Sequence, residues 1–439
     1  MGGDSSGGAT EEIAVRTTDA SAQERFLSLF ERYALAARDA GLVRVRIEDH
    51  DLDAAYITVG GRKLLNFGSC AYLGLNTDKR LKEGAKMAID RFGTVYSSSA
   101  VYTSVDLYTD LEQRLRQIIG APVIIVSTTT LAHLAAIPTL VGEEDALLVD
   151  TQAHASLHLA AKVVGSVGIP VLAVPHNDVA ALEETLAREA SRYRHIWFLA
   201  DGIYSMFGDA APVADYARIL DQYQNLYMYF DDAHGFGWKG KHGRGWILGQ
   251  MPWHPRLVLS FSLAKSWGSG GAALAFPNDQ MAARVLSVGS TLTFSGPLHP
   301  AELGASVAAA DIHLSDEQSE RQAALGKQIE LVQSALDTSG LPVMPTDATP
   351  LWFVKVGSFT RATELCRRMM DRGFYLNIAG FPAVPMRQSG VRFTNTLNHS
   401  DDQILEMIDT LRDELAIVTG ETEIEIDLTA ASGADRPFS

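Results

Sequence analysis

The sequence predicts an α/β protein in which a mostly parallel, seven-stranded sheet is followed by a smaller C-terminal α+β domain. Three observations carry this expectation. From about residue 80, short apolar runs alternate with segments of helical periodicity, the pattern of parallel strands joined by crossover helices. Two of those runs end in side chains that bear chemistry. One runs Tyr229-Phe230-Asp231-Asp232-Ala233-His234, and the other leads through Ser262-Leu263-Ala264 to Lys265. Ligands of such sheets sit at the strand C-terminal ends, where these residues fall. Finally, 439 residues, 46% hydrophobic and 21% charged, suffice for a large core and more than one domain.

In chain order, residues 1–20 form a Gly- and Ser-containing extension without the apolar core of a secretory signal. The next division, 21–66, opens with an amphipathic helix over 21–40. Ser21 and Glu24 suggest a capping box, Phe26, Leu29, Phe30 and Tyr33 an apolar face, and Gly41 a stop. Short strands are expected at 44–47, 55–59 and 62–66. The large domain, 67–300, carries strands at 123–127, 146–149, 171–174, 195–200, 226–230, 257–260 and 272–275. The small domain, 301–419, starts with a long helical stretch over 301–336. Strands at 350–356 and 390–394 follow, then a helix over 400–417 capped by Ser400 and Gln403. A polar tail, 420–439, ends the chain.

Net charge is −16, which disfavours a general nucleic-acid-binding or anionic-membrane surface. The two cysteines, Cys70 and Cys366, are far apart, imply neither a disulfide framework nor a metal site, and fit a reducing cytoplasm. No apolar run is long enough to span a bilayer.

A strand-end acid followed by a strand-end lysine is what pyridoxal phosphate requires. The lysine carries the cofactor, and the acid keeps the pyridine nitrogen protonated so that the ring accepts electrons. Lys265 and Asp231 are the candidates. A nicotinamide enzyme would need a Gly-rich turn after the first strand, and the sequence has none.

With Tyr72-Leu73-Gly74-Leu75, Ala153-His154-Ala155-Ser156, residues 203–209, Asp231-Asp232-Ala233-His234, Lys265 and Arg392 in this order, the chain resembles the alpha-oxoamine synthases over about residues 65–417. This family of fold-type I pyridoxal-phosphate-dependent transferases includes amino-oxononanoate synthase, aminolevulinate synthase, serine palmitoyltransferase and autoinducer synthase. The resemblance implies that Lys265 holds the cofactor and moves the substrate α-proton. It implies that Asp231 pairs with the pyridine nitrogen, His234 with the ring oxygen, and His154 with the ring face. Ser205 and Asp201 would lie beside the cofactor. Ser262 and the helix opening at Thr128, Thr129 and Thr130 would bind its phosphate. Ser295 and Gly296 would reach the phosphate of a second subunit, which implies a homodimer. Arg392 would clamp the amino-acid carboxylate with its planar fork. His133, His176, His242 and the 240–245 stretch receive no role and read as structural.

The chain also departs from the family pattern. Asp201 stands where many members have glutamate. Thr128 to Thr130 replace a Ser-Gly-aromatic turn. Cys70 precedes the Tyr72 motif where asparagine is common, and residues 93–100, including Ser99, lack the usual arginine. Cys70 and Ser99 are therefore candidate substrate-binding residues, and the changes imply a specialised acyl donor. The expected activity is a pyridoxal-phosphate-dependent acyl transfer. An amino acid and an acyl thioester, on coenzyme A or acyl carrier protein, give an alpha-aminoketone, carbon dioxide and free thiol. Aminotransferase or retro-aldol lyase chemistry on the same fold, and a non-catalytic partner subunit, stay open; the presence of Lys265 speaks against the last.

Overall fold

The computed structural model describes residues 17–344 and 347–420. The expected tail after 420 and most of the expected N-terminal extension lie outside the described residues. The leading helix spans Thr17–Asp39, so it opens upstream of Ser21, and the expected start at a Ser21 capping box is corrected. Its end is as expected. Gly41 adopts φ 69°, and Gly41 N donates to Arg38 O while Leu42 N donates to Ala37 O. Leu29, Tyr33 and Ala37 bury against Phe359 and Phe381 of the same chain, whereas Phe30 stays 45% exposed and leaves the expected apolar face.

Strands β1 (Tyr56–Val59) and β2 (Arg62–Asn66) form a hairpin. Residues 44–47 do not form the expected strand. Arg44 turns to φ 53°, and the following chain docks on β1 chiefly through the Asp49 carboxylate, which accepts from Thr58 N and Oγ1. The main sheet contains β3 (Val123–Val126), β4 (Ala146–Asp150), β5 (Val171–Val174), β6 (Ile196–Asp201), β7 (Leu226–Asp231), β8 (Leu257–Ser262) and β9 (Ala272–Ala275). Their spatial order is β3-β9-β8-β7-β6-β4-β5. Strands β5, β4, β6, β7 and β8 pair in parallel, and β9 runs antiparallel to both β8 and β3. Helices cover both faces. This explains why β4, β6 and β8 are apolar without alternation and buried along their whole length. Each large apolar side chain so buried stabilises the fold by about 1.5–3 kcal/mol.

The stretch expected as one helix over 301–336 is two helices, Pro300–His313 and Glu317–Ser339. Between them the Ser315 hydroxyl donates to Ile312 O at 2.7 Å, the local bond by which serine competes with a continuous helix. The first of the two packs on Lys79–Phe92 so closely that a β-carbon on Gly84 would lie 2.5 Å from Gly304 O. Strands β10 (Leu351–Gly357), β11 (Phe374–Tyr375), β12 (Asn377–Ala379) and β13 (Ser389–Thr394) complete the chain with the helix Asp401–Gly420. Ser400 and Gln403 cap that helix reciprocally, as expected. β12, β13 and β10 form one small sheet, and β11 adds to β1 and β2 in another. Among the described residues no helix is long and apolar enough to cross a membrane.

Candidate active site

The parallel register brings the acids together. Asp201 and Asp231, the last residues of β6 and β7, are direct neighbours, and Asp231 lies beside Ser260 of β8. After Ser262 the chain turns to present Lys265. Gly268 N donates to Lys265 O at 2.9 Å, and Ser269 N donates to Leu263 O at 2.9 Å. Gly268 has φ 78°, and a β-carbon there would meet the Leu75 and Asn76 backbone at 2.7 Å. Only glycine lets this turn sit against the 72–75 segment.

A cavity opens at these strand ends, lined by Thr129, His154, Asp201, Asp231, His234 and Lys265, with Ile203 and Ala233. Burial holds the Lys265 amine below the ordinary lysine range, against the opposing pull of Cys70 and Asp231. Burial first, and Asp231 second, push the Asp201 carboxyl well up. Of the two adjacent acids only Asp231 lines the cavity. Asp232 is wholly buried and accepts from Ile247 N at 3.1 Å, a structural tie.

Two histidines are held by partners the sequence did not assign. His234 Nδ1 lies 2.8 Å from the Tyr72 hydroxyl, and burial keeps its imidazole well below the usual range. His154 N donates to Asp201 Oδ1 at 3.1 Å, and His154 Nδ1 lies 2.6 Å from Ser156 Oγ. Ser156 Oγ also lies 2.9 Å from His133 Nδ1, and His133 Nε2 faces Asp231 Oδ2 at 3.4 Å. Burial pushes His133 down to about 4, so a neutral ring backs Asp231. His133, read from the sequence as structural, is thus attached to the site. Its spacing of one helical turn from Thr129, on a helix that opens at the strand ends, was the available signal.

Arg392 comes from β13, opposite Phe353 of β10 and Asn377 of β12, and is 7% exposed. Its Nε donates to Ser205 O at 2.6 Å, its Nη1 to Asn377 Oδ1 at 3.2 Å, and its Nη2 to Cys70 Sγ at 3.5 Å. These bonds leave further guanidinium N–H groups for a ligand. Burial pushes the Cys70 thiol up, but Arg392 and Lys265 outweigh it and hold the thiol below its usual range. The other cysteine, Cys366, is pushed up to about 12 by burial.

Thr128 caps the helix Thr129–Leu140, its Oγ1 accepting from Leu131 N at 3.2 Å. Ser262 Oγ accepts from Ala264 N at 3.2 Å at the end of β8. Ser295 and Gly296 are elsewhere. With Ala100, Tyr108 and Ser127 they line a second cavity, and the Ser295 hydroxyl donates to Thr291 O. Ser99 joins that region, its Oγ donating to Thr293 O at 2.6 Å. Phe294, between these segments, is 86% exposed.

The donor set at the strand ends fits pyridoxal phosphate. It offers a buried amine, a carboxylate backed by a neutral imidazole, and a helix N-terminus whose Thr129 lines the cavity. The last suits a phosphate. Comparison with known proteins agrees. A family model described as aminotransferase class I and II matches residues 62–411. An 8-amino-7-oxononanoate synthase of Maricaulis maris is 33% identical, over 90% of this chain and 97% of that one. Another, of Dechloromonas aromatica, is 33% identical over 85% and 96%. Among solved structures, a serine palmitoyltransferase of Sphingomonas wittichii superimposes with TM-score 0.82 at 22% identity, covering 91% of this chain and 99% of that one. That of S. paucimobilis, solved with bound PLP and myriocin, has TM-score 0.82 at 20% identity, covering 91% and 99%.

Proposed function

The chain belongs to the aminotransferase class I and II family and, within it, to the alpha-oxoamine synthases, and on that premise we propose that it condenses an amino acid with an acyl thioester. A carbon–carbon bond forms between the amino-acid α-carbon and the acyl carbonyl carbon. The thiol leaves, the α-carboxylate departs as carbon dioxide, and an alpha-aminoketone remains. The observation that carries this reading is Lys265 and Asp231 presented from adjacent strand ends into one cavity, with the Arg392 guanidinium beside it.

Pyridoxal phosphate, when bound, supplies a protonated ring that accepts the electron pair of the α-carbon. Everything else falls to the chain. Asp231 holds the proton at the pyridine nitrogen, and His133 and Ser156 hold Asp231 in place. With the Tyr72 phenol donating to Nδ1, His234 Nε2 carries the proton it offers to the ring oxygen. His154, fixed by Ser156 and Asp201, faces the ring and orients the reacting groups. The helix opening at Thr128 to Thr130, with Ser262, takes the phosphate. Lys265 Nζ takes the α-proton, aided by the burial that holds its amine below the ordinary lysine range. Arg392 clamps the carboxylate.

Cys70 lines the carboxylate end of this site. Iodoacetamide should therefore alkylate Cys70 ahead of Cys366, and the amino acid should slow the reaction. Peptide mass spectrometry checks it, and rapid labelling of Cys70 with an unchanged amino-acid KM would remove Cys70 from the substrate site.

The active form is a homodimer in this reading. Ser295 and Gly296 lie away from their own Lys265 and beside the exposed Phe294, the arrangement expected of residues that complete a second subunit's phosphate site. A fully active monomer in sedimentation would end that assignment. The condensation itself is tested by thiol release with matching carbon dioxide, screening glycine, alanine and serine against acyl thioesters on coenzyme A and carrier protein. Release must need both substrates. Cofactor binding with amino-group transfer and no thiol release would favour aminotransferase chemistry instead.

A further inference from the structure

His176 has no place in the chemistry above, yet it is the centre of a connected polar group outside the cavity. It follows β5, where its Nδ1 lies 3.0 Å from Asp150 Oδ1 and its Nε2 lies 2.5 Å from Asp209 Oδ2. Asp150 ends β4 and is wholly buried. Its carboxylate also accepts from Gln152 N at 2.7 Å and Asn177 N at 2.9 Å. Gln152 belongs to the short loop that delivers His154. Asp209 closes the turn that begins at Tyr204: Tyr204 N donates to Asp209 O at 2.8 Å, and Gly208 N donates to Tyr204 O at 3.1 Å. Within that turn is Ser205, whose carbonyl receives Arg392 Nε. Asn177 Nδ2 braces the same turn through Asp209 Oδ2 at 3.2 Å and Ala210 O at 3.1 Å.

We infer that His176 is a positioning residue for the amino-acid substrate. As a cation between two carboxylates, it locks the His154 loop to the Ser205 turn and so fixes the direction in which Arg392 presents its fork. The inference rests on the reading of Arg392 as the carboxylate clamp. A neutral imidazole has one N–H and can donate to only one of the two acids, whereas the cation donates to both. Loss of the proton therefore releases one side of the tie.

The groups facing His176 favour the cation. Burial alone pushes the imidazole down, but hydrogen bonds to Asp150 and Asp209 outweigh it and hold it up at about 9. The Tyr204 ring meets it edge-on at 4.3 Å, and Asn177 is its chain neighbour. Asp201, His158 and Tyr216 face Asp150, and the Tyr216 hydroxyl also donates to Asn177 Oδ1 at 3.4 Å. Among the described residues no group of His, Cys, Asp and Glu has the arrangement of a metal site. The sign follows from the raised value. Stability from the tie is complete below the unfolded histidine range, declines above it, and is gone once the pH passes about 9. Substrate positioning, which depends on the folded protein alone, is lost as the pH rises through about 9.

The test uses the cofactor-loaded enzyme with His176→Gln, and Asp209→Asn as a second variant that keeps the imidazole. Each should raise the amino-acid KM about tenfold, a typical coupling between sites. The KM for the acyl thioester and kcat should change less than about twofold. The ratio of variant to wild-type amino-acid KM should fall toward unity as pH rises through about 9, which also cancels ionisation of the substrate amine. Without cofactor, the melting temperatures of wild type and His176→Gln should converge over the same rise. Arg392→Gln, measured alongside, should raise the amino-acid KM about 10²-fold. If Arg392→Gln has no effect on that KM, the clamp reading fails. If it acts and both other folded variants leave the KM unchanged, or lower kcat instead, the inference about His176 is overturned. Should His176→Gln not fold, Asp209→Asn decides alone.

Discussion

Replacing Lys265 by Ala is expected to lower turnover by about 10⁴-fold or more, because in the proposed mechanism one side chain provides both the attachment point and the base for the α-proton. The loss will not come from unfolding. The amine is held below its ordinary range by burial, so folding works against its charge, and the methyl group of alanine removes that burden. The turn itself is made by backbone bonds at Lys265, Leu263 and Gly268, which alanine preserves. The melting temperature should therefore be equal or higher. Cofactor should still bind, without a bond to the chain, through Asp231 and the Thr129–Leu140 helix N-terminus. Acid denaturation followed by gel filtration separates the two states: wild type keeps more cofactor on the chain after reduction with borohydride, and the variant keeps none. Residual turnover within about tenfold of wild type would mean that another group takes the α-proton.

The sheet was legible because its central strands are buried on both faces, which leaves runs such as 196–200 and 226–230 apolar and their ends marked by Asp201, Asp231 and, beyond β8, Lys265. Signals that depend on local bonds were also readable, as at Gly41 and at Ser400 with Gln403. What failed depended on contacts from distant segments. The 44–47 run has a strand's composition but no ladder partner: Arg44 turns to φ 53°, and the chain reaches Thr58 only beyond the run, through Glu48 N and the Asp49 carboxylate. The helical stretch over 301–336 is interrupted at 314–316, where the Ser315 hydroxyl bonds back to Ile312 O. In and around the site, motif residues stood out, whereas His133 and His176 did not. Their parts arise from the positions of Asp231 and Asp209, which lie on other elements. A histidine's neighbours in space decide whether it is a core filler or part of a network, and sequence spacing does not encode them.

Asp231→Asn is expected to lower kcat by about 10²–10³-fold, and the deficit should depend on pH. A carboxylate at hydrogen-bond distance raises the pKa of a cationic nitrogen by about 1–3 units. Each unit lost reduces the protonated fraction about tenfold at a fixed pH above that pKa. The substitution is nearly isosteric. Asn Oδ1 can still accept from Ala233 N, the bond made by Asp231 Oδ1 at 3.1 Å. On the other side, His133 Nε2 now meets an amide in place of Oδ2 at 3.4 Å, so the ring either changes tautomer or loses its contact. Because solvent can supply the missing proton in acid, the variant should recover relative to wild type as pH falls, by up to about tenfold per unit. Lys265→Ala should show no such recovery, since acid does not restore a base. This contrast assigns the two residues to different ends of the reaction. A pH-independent deficit for Asp231→Asn, with cofactor still bound, would mean that Asp231 only anchors the cofactor, and that the proton on the ring nitrogen is held by another group.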